Sequence, residues 1–169
     1  MKSQVTTAPT NPKKLKTSLM SDWAHLTPMV GVGVIVIKNG THILLHQRIA
    51  SHGTGTWRSG GGHLEHSESL VGGALRELRE EAGDKLVVGP LQFLGVCNFL
   101  DFMPKHYVDI SFVAEYISGE PLNTEPEKKT DWQWFHINEL PEPLFPVVRY
   151  YLDAFTSKTT LFRDAGTTL

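Results

Sequence analysis

Apolar residues recur along this chain with two different periods, and each change of period marks out an element. From Met29 the run MVGVGVIVIK is β-branched, stops at Asn39-Gly40, and is followed by THILLHQR. Asn-Gly between two such runs is the sequence of a tight hairpin turn, so two antiparallel strands are expected. Gly31 and Gly33 would allow close backbone approach to the first strand. Residues 48–56 read as a loop. From Leu70 the period lengthens: Leu70, Ala74, Leu78 and Ala82 fall four apart, with Val71 and Leu75 beside them. At roughly 100° per residue these make one face of an amphipathic helix. Ser67 is its expected N-cap and Gly83 its stop. LVVGPLQFLGVCNFL and HYVDISFVAEYI read as two further strands, the second punctuated by Asp109 and Glu115. A polar loop then leads to a short aromatic strand around Trp132 and Trp134, and a final helix is expected from about Phe145. Strand pairs flanking one helix, with a second helix at the end, suit an α+β layered fold.

Composition sets the bounds. At 169 residues the chain is long enough for one domain with a proper core. Hydrophobic residues make up 40% and charged residues 20%, and the net charge is −2. No global basic field favours nucleic acid. No apolar run is long enough for a bilayer. The single cysteine, Cys97, excludes an intramolecular disulfide framework and suits a reducing, cytoplasmic setting. Residues 1–27, rich in Ser, Thr, Pro and Lys, read as a disordered tail; they weakly resemble an organelle transit peptide but contain no Arg. The expected domain is 28–155, and 156–169 reads as a second loose tail.

The chemistry concentrates on the helix. Glu77, Glu80 and Glu81 lie along one flank of it. Like charges within a turn lower helix stability by tenths of a kcal/mol per pair. A site for hard divalent cations needs that arrangement; a purely structural helix gains little from it. Gly72 and Gly73 cost about 1 kcal/mol each relative to Ala inside a helix. Gly73 lies one turn before Glu77, where a missing side chain either leaves room for ions and phosphates or allows close packing.

The spacing is more specific than the charge. Gly62 is followed after five residues by Glu68, and after seven more by Arg76-Glu77-Leu78-x-Glu80-Glu81-x-Gly83. This resembles the Gx5Ex7REUxEExGU signature of the Nudix hydrolases, with eight of nine specified positions met and Asp84 in place of the last apolar residue. The resemblance spans about Val30 to Phe155. It implies an α/β/α sandwich with a mixed β-sheet. It also implies metal ligands at Glu77, Glu80 and Glu81, with the Gly61 carbonyl completing the shell. Arg76 and Glu68 would hold the ligand carboxylates in place, and one of the glutamates would act as base, without the resemblance saying which. Glu125-Pro126-Glu127-Lys128 followed by Trp132 and Trp134 looks like the MutT-related branch, which contains small nucleoside triphosphate diphosphatases. Relatives of that kind pair, which implies a homodimer.

From the residues themselves, Glu127 or its neighbour Glu125 is a candidate extra carboxylate for the metal cluster. His63, Arg48 and Lys128 are candidates for phosphate binding, with His46 and His66 weaker ones. The departure lies at WRSGGGHLE, where Ser59 and Gly60 replace the family's usual apolar residue and proline; a looser turn is expected there. No CxxC and no P-loop occur, and no Ser/His/Asp arrangement is supported by spacing.

The function expected from this is Mg²⁺-dependent hydrolysis of a nucleoside diphosphate linked to X, with Mn²⁺ as a substitute metal. A (deoxy)nucleoside triphosphate giving monophosphate and pyrophosphate is the favoured substrate. ADP-ribose, a dinucleotide, a nucleotide sugar or dihydroneopterin triphosphate are the alternatives. A nucleotide-sensing module without catalysis is a reading of another class.

Overall fold

The computed structural model describes residues 27–49, 53–101 and 105–164. The expected N-terminal tail lies outside them, apart from Thr27. Among the described residues the chain forms nine strands and two helices. In order they are β1 (Met29–Lys38), β2 (His42–Gln47), β3 (Trp57–Arg58), β4 (Gly60–His63), α1 (Leu70–Ala82), β5 (Val87–Val88), β6 (Gln92–Phe99), β7 (Tyr107–Ser118), β8 (Gln133–His136), α2 (Pro146–Ser157) and β9 (Leu161–Arg163). No helix among them is long and apolar enough to cross a membrane.

The hairpin forms where Asn39-Gly40 placed it, with both residues at positive φ and Lys38 paired with His42. β1 lies at the centre of the sheet. It runs parallel to β7 over its length, and antiparallel to β2 at one end and β4 at the other. The long path of the mixed sheet is β3-β2-β1-β7-β6-β9, with β8 against β2 and β5 against β7.

Because strand side chains alternate between faces, each β1 residue belongs to one of two cores. Val32, Val34 and Val36 pack with Ala74, Leu78 and Ala82 of α1. Ile35 and Ile37 pack on the other face with Val148, Tyr151, Leu152 and Ala154 of α2. The result is the expected α/β/α sandwich.

Three local expectations change. The N-cap of α1 is Ser69, whose Oγ accepts from Gly72 N–H at 3.0 Å; Ser67 stands in the preceding turn at φ +64°. A capping hydroxyl must reach the second or third helical N–H, and α1 begins at Leu70, too far along for Ser67. The chain after Phe155 is no loose tail as far as Asp164: α2 runs to Ser157, and β9 adds a parallel edge to β6 through Gly95↔Leu161. A Cβ at Gly95 would stand 2.4 Å from the Leu161 carbonyl, so the bare glycine is what admits that strand.

The Ser59-Gly60 departure does not loosen the backbone either. Gly60 is a strand residue paired with Val34, and Ser59 is buried. A Cβ at Gly60 would meet Leu78 Cδ1 at 3.0 Å, Glu81 Oε2 at 3.4 Å and the Trp132 ring at 3.6 Å. Restoring the family's pair with Ser59→Leu and Gly60→Pro is therefore expected to overpack the site. A loss of about 1–3 kcal/mol in chemical denaturation, with lower turnover, is the expected result. Higher stability in the double variant would show that the pocket around residue 60 has slack.

Candidate active site

Arg76, on α1, holds three carboxylates at once. Its Nε and Nη2 donate to Glu68 at 2.9 and 3.0 Å, and its Nη1 donates to Glu77 and Glu80, each at 3.0 Å. Nη2 also reaches the His63 carbonyl at 2.9 Å, which ties the helix to the end of β4. The rigid planar fork of a guanidinium can meet so many acceptors where an ammonium could not. Hydrogen bonds from Arg76, then one from Glu65 N–H, hold the Glu68 carboxyl below its ordinary pKa. Gly73 has a packing role: a Cβ there would stand 2.8 Å from Glu68 Oε2 and 3.0 Å from Leu64 Cδ1. Its missing side chain makes room for Glu68.

Glu81 faces inward. Only 9% exposed, it accepts the Gly61 N–H at 2.8 Å and lies 3.7 Å from the Nζ of Lys129, which is 2% exposed. Burial pushes the Glu81 carboxyl up, against the pull of Arg58 and Lys129. Lys129 also reaches Glu125 at 3.3 Å. The loop carboxylate brought towards the cluster is thus Glu125, while Glu127 is exposed. The reason lies in the turn: Lys128 and Lys129 N–H both return to the Glu125 carbonyl, which turns Lys129 inward and leaves residues 126–128 on the rim.

The glycines of β4 sit between helix and sheet. Gly61 has φ +151°, and a Cβ on it would be 2.5 Å from the Val32 carbonyl and 2.7 Å from Gly33 Cα. A Cβ on Gly62 would be 2.3 Å from Glu77 Oε2. Glu81 and Glu77 therefore meet adjacent residues of β4, Gly61 and Gly62. The Gly61 carbonyl accepts from Arg58, which also donates to the Ser59 carbonyl.

Behind β4 opens a pocket on the α2 face of the sheet. Polar residues on its wall include Arg48, Arg58, His63, Tyr107, Asp109 and Ser111, and Phe99, Phe145 and Tyr151 supply aromatic surface. The pocket thus collects His63 and Arg48 of the expected substrate-binding residues. Lys128 is not among its lining: it is exposed and ion-paired with Glu125. His66 is exposed in the turn before α1.

His46 lies elsewhere, buried edge-on against Trp132 at 4.6 Å, with neither ring nitrogen hydrogen-bonded. Burial, with Arg58, Lys129 and Arg48 nearby, takes its pKa down to about 2, so it is neutral at any working pH. The sequence reading missed Arg58, Asp109 and Lys129. Lys129 carried no signal beyond sitting next to EPEK. Asp109 stood as a polar position in an apolar strand, which was the one clue to it, and Arg58 carried none in its glycine-rich turn.

The donor chemistry fits a divalent cation. Glu77, Glu81 and the Gly61 carbonyl are hard oxygen donors of the kind Mg²⁺ takes. Arg58, Arg76 and Lys129 compensate their charge. Among the described residues no three acidic, His or Cys side chains yet stand together at ligand distance. Glu80 in particular is the outermost, its side chain 58% exposed and turned to Arg76.

Fold and site together define a class, and comparison with known proteins names it. Residues 27–155 match the NUDIX domain family model. The chain belongs to that family and is a Nudix pyrophosphohydrolase, an enzyme of nucleotide substrates related to MutT. It is 27% identical over 143 residues to the mouse oxidized purine nucleoside triphosphate hydrolase, covering 80% of this chain and 88% of the mouse protein. It is 31% identical over 142 residues to the NAD-capped RNA hydrolase NudC of Pseudomonas aeruginosa; that match covers 82% of this chain but only 47% of NudC, so the chain spans about half the length of that relative. Among solved structures, the MutT NUDIX hydrolase of Burkholderia pseudomallei superposes with a TM-score of 0.70 at 30% identity, covering 76% of this chain and 98% of that one.

Proposed function

We propose that the chain hydrolyses a (deoxy)nucleoside triphosphate to the monophosphate and pyrophosphate, with Mg²⁺ as its metal and Mn²⁺ as a substitute. The observation that carries this reading is the placing of β4. Gly60, Gly62 and His63 line the pocket, while Gly61 and Gly62 touch the carboxylates of α1. A nucleoside in the pocket has its phosphates directed across β4 towards Glu77 and Glu81.

Glu77, Glu80 and Glu81 would hold the metal, with the Gly61 carbonyl as a further donor. The bound ion would neutralise phosphate charge and lower the pKa of a water. Arg76 and Glu68 keep the ligand carboxylates in place, as partners of metal ligands commonly do. His63 and Arg48, on the pocket wall, are placed to meet phosphate or ribose oxygens. Water adds to one phosphorus of the bridge as the anhydride bond to its neighbour breaks, and the water's proton passes to a glutamate of the cluster. The mouse relative's name, a nucleoside triphosphate hydrolase, supports this substrate class.

Turnover in ¹⁸O-labelled water tests it. Nucleoside monophosphate and pyrophosphate are the expected products, with the label in only one of them. Orthophosphate as the primary product, without added pyrophosphatase, would sink the mechanism. Release from ADP-ribose, a dinucleotide, a nucleotide sugar or dihydroneopterin triphosphate, with none from triphosphates, would keep the chemistry and change the substrate. A nucleotide bound but left intact would mark a sensing module. The same reading includes a homodimer, and a monomer in light scattering at micromolar concentration would remove that part.

A further inference from the structure

We infer that Asp109 decides which ring the pocket accepts, selecting rings with two adjacent N–H donors over adenine. That edge, a lactam N–H beside an amino group, is shared by guanine and pterin. The inference rests on the proposed function, because it concerns the base end of the same substrate.

Three observations place Asp109 for this task. First, Tyr107, Asp109 and Ser111 alternate on β7 and all line the pocket. Second, the register sets Asp109 beside Gly31 of β1, and a Cβ on Gly31 would stand 2.7 Å from Asp109 Oδ2. The carboxylate therefore lies across the bare backbone of the neighbouring strand. Gly33, two residues further on the same face, lines the pocket with no side chain of its own, bordered by the Gly60 carbonyl and the Ser111 hydroxyl. Third, Tyr151 of α2 donates to the Asp109 carbonyl at 2.8 Å, which fixes the strand at that point. A planar ring lying beside Gly33, among Phe99, Phe145 and Tyr151, presents its edge to Asp109.

The chemistry of the carboxylate then selects the ring. A carboxylate is acceptor-only, and leaving it unpaired away from water is costly. Burial pushes the Asp109 carboxyl above its ordinary pKa, against the pull of a Tyr151 hydrogen bond and of Arg58. Arg48 and Arg58, always cationic, line the same pocket, and Arg58 offsets its charge. Guanine and pterin offer two donors side by side, one for each carboxylate oxygen. Adenine offers one donor next to a ring-nitrogen lone pair, which would face a carboxylate oxygen and repel it. A protonated Asp109 would reverse the preference, since one donor and one acceptor complement adenine. Asp109→Asn presents that reversed pair at unchanged shape.

The test measures kcat/KM with Mg²⁺ for GTP, ITP and ATP, with dihydroneopterin triphosphate as a separate arm to tell pterin from guanine. One well-formed bidentate pair corresponds to about tenfold or more in discrimination. GTP is expected to exceed ATP at least tenfold, mostly through KM, with ITP, which lacks the amino group, between them. Asp109→Asn should lower the GTP to ATP ratio at least tenfold.

Binding of GMP and AMP as product inhibitors to the unaltered protein gives the same comparison without any variant, GMP being the tighter. A wild type that prefers ATP or treats both alike overturns the inference. So does an Asn variant with an unchanged ratio. If no triphosphate is cleaved, the proposed function fails by itself, and Asp109 is then judged on GDP-mannose against ADP-ribose, where the guanine sugar should win.

Discussion

Glu81→Gln is expected to lower kcat at least a hundredfold, equal to about 2.7 kcal/mol in the barrier, while the protein stays folded. Glu81 is the most buried carboxylate of the cluster and lies against Gly61 on one side and Lys129 on the other. An amide oxygen can still accept the Gly61 N–H, and Lys129 keeps Glu125, so the packing survives. What is lost is a full negative charge for the metal.

The stability effect follows from the direction of the pKa. The folded state raises Glu81 above its unfolded value, so this group makes stability fall as pH rises from the unfolded pKa to the folded one. At neutral pH the buried charge is a net cost, and the amide removes it. The metal-free melting temperature should be unchanged or slightly higher in the variant. More than a tenth of wild-type activity remaining would show that Glu81 is not a ligand.

Gly61→Ala should give the largest loss of stability of any single-methyl change near the site. The new Cβ would meet backbone, 2.5 Å from the Val32 carbonyl and 2.7 Å from Gly33 Cα, and strand β1 cannot yield without parting from β4 or β7. We expect about 3 kcal/mol or more of destabilisation. For a chain of this size that is a fall of roughly 6–12 °C in melting temperature, with turnover abolished because the Gly61 N–H no longer meets Glu81. Gly40→Ala is the control: φ there is also positive, at +69°, but nothing lies within 4 Å. It should cost only about 1–2 kcal/mol, from the left-handed backbone. Equal losses in the two variants would mean that backbone crowding at Gly61 plays no part.

Much of this enzyme is written in short-range pattern. The alternation of β1, the Asn39-Gly40 turn, the four-residue stripe of α1 and the start of α2 near Phe145 are all local signals, because they follow from φ/ψ preference and side-chain period. The motif from Gly62 to Gly83 is equally local. The end of β4, one turn and one helix carry all its residues, so spacing brings Arg76 back to Glu68 and Glu77 towards Gly62. Where spacing ran short, the reading slipped by a residue or two. Ser69 rather than Ser67 caps α1, because the choice depends on where the helix begins. Between Glu125 and Glu127, which the sequence left open, Glu125 turns inward, because the turn over 125–129 directs Lys129 into the protein.

The pocket beside β4 could not be read in this way. Asp109 meets Gly31 across 78 residues of chain, through the parallel pairing of β7 with β1. Lys129 meets Glu81 only because the loop before β8 folds back over the end of α1, with Leu122 N–H on the Ala82 carbonyl and Trp132 Nε1 on the Glu81 carbonyl. The sequence by itself determined the β1–β2 hairpin, the two helices, the family and the carboxylate helix, since each depends on contacts within one or two neighbouring segments; β4 and β9 came only with the sheet. The tertiary structure alone decided which polar side chains share one pocket, because a strand's register is set by the core packed on both its faces.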